Sequence, residues 1–125
     1  MDPEYIRELF AAFGAVKVRR MFGGAGLYAD GVMFGLVTDG RIYLKADAAS
    51  ATNFEREGSA PFEYDRSGKR AVMSYWRLPN RLYDDPDDLA HWARAALSLA
   101  QRIAAAKHGR GKAGTKKKKR KIKRR

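Results

Sequence analysis

The sequence contains no cysteine, and this absence excludes disulfide bonds, thiolate nucleophiles and cysteine-ligated zinc. It also lacks any run of about 18 apolar residues, so a membrane-spanning helix is not expected. The first residues, Met1 to Glu4, are acidic and do not have the basic-then-apolar layout of a secretory signal peptide. We therefore expect a cytoplasmic protein that does not act at a membrane.

Residues suited to catalysis or metal binding are equally scarce. The two histidines, His91 and His108, form no pair at helical ligand spacing, and Ser74 lies within a predicted strand rather than at a strand–turn–helix elbow. The four aspartates between Asp84 and Asp88 are explained by helix capping, because the glycine and terminal glutamate of a calcium loop are missing. We expect no enzyme activity, metal, cofactor or small-molecule substrate.

One glycine-rich stretch formally matches a dinucleotide-binding pattern. Residues 24–29 read G-x-G-x-x-A, but that fingerprint needs a helix after it, because the pyrophosphate rests on the helix N-terminus. Here an Asp30-Gly31 hairpin turn and another strand follow. We interpret the glycines as a bend within a strand.

Charge is distributed unevenly along the chain. Residues 107–125, called the basic tail below, hold twelve Lys and Arg and no acid, whereas residues 1–106 hold fourteen basic and fourteen acidic residues. An uncompensated polycation binds phosphates and releases counterions without reading base sequence. A solvated terminus that only aids solubility, or a nuclear localisation sequence, has the same composition. We predict non-specific nucleic-acid binding by the tail, with no part in it for the neutral body. The candidate nucleic-acid-binding residues are Lys112, Lys116, Lys117, Lys118, Lys119, Arg120, Lys121, Lys123, Arg124 and Arg125.

Hydrophobic patterning predicts an α+β fold, a two-layer antiparallel sheet with helices in the order α-β-β-β-α-β-β-α. Two Asp-Gly turns connect the first three strands into a meander. The expected elements are a helix capped by Asp2, strands over 16–29, 32–37 and 41–45, a helix over 48–57, a hairpin over 62–76 and a long helix from 84. Glycines at 109, 111 and 114, together with charge repulsion, predict a folded domain over 1–106 and a disordered tail over 107–125.

The predicted sheet has a second face with aromatic and cationic residues. In the strand 41–45, Ile42 and Leu44 alternate with residues that point the other way. Such a face suits a protein partner or self-association, a base-stacking surface for nucleic acid, or ordinary packing. The candidate partner surface consists of Tyr43, Tyr75, Trp76 and Arg77.

Several ordered motifs resemble the TfoX N-terminal domain family over about residues 5–103. They are Arg20-Met21-Phe22-Gly23-Gly24-Ala25-Gly26-Leu27-Tyr28, Asp30-Gly31-Val32-Met33-Phe34, Arg41-Ile42-Tyr43-Leu44-Lys45, Met73-Ser74-Tyr75-Trp76-Arg77-Leu78-Pro79 and Asp84-Asp85-Pro86-Asp87-Asp88-Leu89 with Trp92-Ala93. The resemblance implies a two-layer fold similar to that of type III secretion chaperones. It also implies a role near TfoX/Sxy, bacterial regulators of natural competence genes, and offers no established catalytic residues.

Two functions follow from these observations. The first is a TfoX/Sxy-like regulatory protein, associated with transcription, whose basic tail binds nucleic acid non-specifically. The alternative is a protein-binding adaptor or chaperone-like homodimer in which the cationic tail is incidental.

Overall fold

The computed structural model describes residues 1–21, 23–66 and 69–114. An antiparallel sheet of six strands packs with three α-helices, which confirms the predicted α+β class. The elements are α1 (Pro3–Leu9), β1 (Lys17–Met21), β2 (Gly24–Ala29), β3 (Val32–Thr38), β4 (Arg41–Lys45), α2 (Ala48–Arg56), β5 (Pro61–Arg66), β6 (Lys69–Arg77), a 3₁₀ turn (Asn80–Asp84) and α3 (Pro86–Gly114).

The first predicted strand is in fact two strands, and the predicted element order is wrong at this point. β1 and β2 pair antiparallel, with Lys17 opposite Tyr28 and Met21 opposite Gly24. Between them Gly23 has a φ of 67°, a conformation that glycine adopts without steric cost. The chain therefore reverses at the start of the glycine run, and Gly24 and Gly26 lie inside β2.

Both Asp-Gly turns are present as predicted. Asp30 and Gly31 have φ values of 51° and 76°, and Asp39 and Gly40 have values of 53° and 69°. Two successive positive φ angles are typical of the type I′ turn, whose twist matches that of the flanking strands. The turns make β1 to β4 a continuous meander, and the full strand order is β1-β2-β3-β4-β6-β5.

The hydrophobic core lies between one face of the sheet and the helices. Asp2 caps α1 through its side chain, Pro3 is the first helical residue, and Ile6 and Phe10 of this segment are 1% exposed. The Phe10 ring makes an edge-to-face contact with Phe34 of β3, with centroids 5.8 Å apart. All three described helices contribute to this core, whose other large, fully buried side chains include Leu27, Ile42, Leu44, Leu78, Leu82 and Leu89.

The helix α3 is longer than predicted and continues through Gly109 and Gly111 to Gly114. The expected break at these glycines is wrong, because a glycine inside a helix costs only about 1 kcal/mol relative to alanine and does not by itself end the helix. The backbone of Lys112 thus lies within α3. The predicted disorder of residues 115–125 falls outside the described residues.

Acidic residues at the start of α3 have structural roles, as predicted. The Asp88 backbone N–H donates to the Asp85 carboxylate at 3.2 Å. Arg81 donates to both carboxylate oxygens of Glu57 at 2.9 Å and to Asp88 at 2.8 Å. The hydrogen bonds from Arg81 lower the pKa of both carboxyl groups. Asp85 therefore caps the helix, and Asp88 together with Glu57 holds Arg81 between α2 and α3.

Candidate nucleic-acid interface

The face of the sheet opposite the helices, called the open face below, has its own small hydrophobic cluster. Leu36, Tyr43 and Tyr75 are buried there against Met33 and Phe62. No residue of the three described helices belongs to this cluster. By strand alternation and register, the open face comprises Lys17, Arg19, Met21, Gly26, Tyr28, Met33, Leu36, Arg41, Tyr43, Lys45, Phe62, Tyr75 and Arg77.

A row of paired residues crosses the open face with a cation at each end. Arg19 of β1 pairs with Gly26, which pairs with Leu36; Leu36 in turn pairs with Tyr43, and Tyr43 with Arg77 of β6. Paired residues in antiparallel strands point to the same face of the sheet. The row therefore places guanidinium groups on both sides of an apolar centre.

Three of the four predicted partner-surface residues lie together on the open face. Tyr43 and Arg77 are paired, and Tyr75 is paired with Lys45. Trp76 lies on the other face, where it is paired with core residue Leu44 and its ring is 6.1 Å from that of Phe54. Trp76 therefore does not share a face with the other three residues, because adjacent strand residues point to opposite faces.

The tyrosines of the open face differ in accessibility. Tyr43 is 8% exposed and Tyr75 7%, and the Tyr43 ring packs edge-to-face on Phe62 at 5.2 Å. These two rings are packing elements that a base could not stack on. Tyr28 is partly exposed, and the Arg19 guanidinium lies over its ring at 5.5 Å.

Gly26 allows the Tyr28 ring to lie against the sheet. A Cβ atom at this position would come within 2.9 Å of the Tyr28 ring and 3.1 and 3.2 Å of the sulfur atoms of Met21 and Met33. Tyr28 and these methionines therefore lie over the bare backbone at Gly26. The sequence interpretation of the glycines as a bend missed this role, which depends on the pairing of β1 with β2.

The neutral total charge of residues 1–106 conceals a separation of charge in space. The described strands contain nine of their fourteen basic residues but two of their fourteen acids, Glu63 and Asp65 of β5. The other acids lie at the helices, caps and turns. The strands therefore carry a local excess of cations, which a count over the whole of residues 1–106 does not reveal. Lys17 and Arg19 were missed as site residues, although their spacing two residues apart in a strand places them on one face.

The basic tail begins close to one end of the open face. Burial lowers the pKa of Lys45, and the positive charge of Lys107 lowers it further. The Lys45 ammonium also lies 4.8 Å from the centroid of the Tyr75 ring. Lys107 on α3 thus adds to the positive potential at the β4 end of the open face. The tail residues Lys116–Arg125 lie outside the described residues.

A second candidate site is a groove of about 520 Å³ between α2 and α3. Its lining includes Phe54, Trp92 and Leu99, and the Phe54 and Trp92 rings meet edge-to-face at 4.9 Å. Lys45 and Arg102 line it together with Asp47, Asp88 and His91. The charges of this groove are mixed, whereas those of the open face have one sign.

Neither a metal-binding cluster nor a membrane-spanning helix is found in the part of the chain that the structure describes. Over residues 1–21, 23–66 and 69–114, no group of three or more His, Cys, Asp or Glu residues is placed to hold a metal ion. None of the described helices is long and apolar enough to cross a membrane.

Comparison with known proteins identifies relatives of most of the chain. A family model described as the TfoX N-terminal domain matches residues 8–100. The chain is 29% identical over 101 residues to the DNA transformation protein TfoX1 of Aliivibrio fischeri, covering 78% of this chain and 48% of that protein. It is 27% identical over 94 residues to Protein Sxy of Escherichia coli, covering 75% and 45%. The chain spans about half the length of these curated relatives, and neither name denotes an enzyme.

Proposed function

The chain belongs to the TfoX N-terminal domain family, and we propose that it is a regulatory protein that associates with nucleic acid through its basic tail. The observation that carries the proposal is the concentration of charge, twelve Lys and Arg without an acid over residues 107–125. Such a segment displaces the counterions condensed on a nucleic acid, which supplies nearly all the free energy of non-specific binding.

The folded domain is the part of the chain to which we assign the regulatory role. Its relatives include a protein named for DNA transformation, and we propose that this chain acts in the control of transcription, in competence or a related response. The tail holds the domain near the phosphate backbone, and phosphate contacts fix position without specifying sequence. Selection of particular genes then rests with partners of the domain.

Replacing the nine Lys and Arg residues of 116–125 with Gln tests this proposal. We expect the affinity of the full-length chain for a fluorescein-labelled 20-base-pair duplex to fall by at least about a hundredfold at 100 mM salt, because most of the phosphate contacts are removed. Fluorescence anisotropy measures this affinity directly.

The matched control reverses the order of residues 116–125 and keeps every charge. Its affinity should stay within about twofold of the natural chain, because counterion release depends on charge number and not on side-chain order. Unchanged affinity in the Gln variant would exclude the tail as the tether. A large loss in the reversed variant would show that the tail recognises a specific structure instead.

A second candidate function is a protein-binding adaptor or homodimer, and the groove between α2 and α3 favours it. Aromatic rings and a leucine line that groove, and apolar surface of this kind suits a protein segment. A stable dimer that does not bind the duplex at physiological salt in analytical ultracentrifugation would favour this function over the first.

A further inference from the structure

We infer that the open face is a second nucleic-acid contact and that its ligand is a single strand, a role that rests on the proposed nucleic-acid function. The tail supplies affinity for any phosphate backbone. The open face adds a surface that distinguishes unpaired bases from a duplex.

The first argument is charge complementarity. Lys17, Arg19 and Arg41 are exposed on the open face, and Lys45 and Arg77 are partly exposed. Strands β1 to β4 and β6 contain no acidic residue. A local excess of cations over acids concentrates positive potential and attracts polyanions.

The second argument is the arrangement of the cations around an apolar centre. β1 and β6 are separated by four strand spacings, which is roughly 19 Å. Arg19 and Arg77 lie on these strands, and between them the face presents the partly exposed Tyr28 and Met33. A single strand places phosphates and unstacked bases side by side, whereas the bases of a duplex are stacked inside it. The alternation of cations and apolar groups therefore fits the single strand.

The third argument is the stack of Arg19 on Tyr28. A groove of about 510 Å³ lies beside this pair, and Arg7 and Lys17 also line it, together with Asp30 at its turn. Aromatic rings and guanidinium planes are the two groups on which proteins stack unpaired bases. Because the Tyr28 ring lies against the sheet with Arg19 over it, the Arg19 guanidinium provides the stacking plane beside the groove, and Arg7 and Lys17 contribute positive charge there.

The test compares a fluorescein-labelled 20-nucleotide oligothymidine with the 20-base-pair duplex, using the full-length chain. We expect the double substitution Lys17→Gln/Arg19→Gln to weaken oligothymidine binding about tenfold and duplex binding by less than about twofold. The matched control removes two exposed cations from the helices, Arg56→Gln/Arg102→Gln. It should change neither affinity by more than about twofold.

A second pair of variants separates stacking from charge. Tyr28→Leu should weaken oligothymidine binding about tenfold, because Arg19 loses the ring that holds its guanidinium in the stacking position, whereas Tyr28→Phe keeps that ring and should retain binding. Circular dichroism of each variant verifies that the fold is intact. Equal effects of leucine and phenylalanine would overturn the stacking role, and loss of structure in Tyr28→Leu leaves the Lys17/Arg19 comparison as the deciding one.

Three results would overturn the inference while leaving the tail proposal standing. The first is unchanged oligothymidine affinity in Lys17→Gln/Arg19→Gln. The second is an equal loss for the single strand and the duplex. The third is competition by polyglutamate of the same charge that is as effective as that by oligothymidine in the chain with Gln at the nine basic positions of 116–125, which would identify an acidic protein surface as the ligand of the open face. Failure of the tail proposal would instead appear as unchanged duplex binding in the Gln-substituted tail.

Discussion

Raising the salt concentration from 50 to 200 mM will weaken binding of the full-length chain to duplex DNA by about a thousandfold. The logarithm of the affinity falls linearly with the logarithm of the salt concentration, with a slope of about −0.9 for each phosphate neutralised. Twelve cations in the basic tail are enough to neutralise six or more phosphates. The tail therefore predicts a steep dependence, although the rest of the chain has no net charge.

The dependence is measured by fluorescence anisotropy at four or more salt concentrations. The chain with Gln at the nine basic positions of 116–125 is the control, and its slope should be shallower by about four, since nine of the twelve neutralising groups are absent. Parallel slopes for the two chains would contradict the account, because the contacts would then lie elsewhere.

Replacing Phe10 with alanine will lower the free energy of unfolding by about 3–5 kcal/mol. Phe10 is 1% exposed, and its ring meets those of Phe13 and Phe34 at 6.1 and 5.8 Å. Alanine would remove the ring from the place where α1 meets β3 and would leave a cavity that the close-packed neighbours fill only in part. A loss of this size is a large share of the total free energy of unfolding of a domain of this length.

Urea unfolding followed by circular dichroism measures the loss as a shift of the midpoint at constant slope. Tyr5→Ala is the control on the same helix, because Tyr5 is 42% exposed. Its substitution should change the free energy of unfolding by less than about 0.5 kcal/mol. A loss below 1 kcal/mol for Phe10→Ala would show that α1 does not pack against the sheet as described.

Local patterns in the sequence were sufficient to predict much of the fold. The capped first helix, both Asp-Gly hairpins and the alternation of Ile42 and Leu44 with Tyr43 each depend on residues close together in the chain. The reversal at Gly23 could not be settled in this way, because a glycine run permits a bulge as readily as a turn. The pairing of β1 with β2 that decides between them is a tertiary contact.

The candidate site was predicted less well, for two physical reasons. Trp76 and Tyr75 are neighbours in one strand, and strand alternation alone places neighbours on opposite faces, so the sequence is sufficient to separate these two residues. The separation of charge between strands and helices could not be predicted from the sequence in this way, because a charge count over residues 1–106 averages over both layers. The strand register is needed to identify the cationic face, because it places Arg19 and Arg77 in one row.

Lysine acetylation footprinting tests the central claim, that the basic tail contacts the phosphate backbone, most directly. The full-length chain is acetylated with and without saturating duplex DNA at 50 mM salt, and each lysine is quantified by mass spectrometry. We predict that DNA protects the lysines of 116–123 several-fold. Equal acetylation of the tail lysines with and without bound DNA would contradict the account.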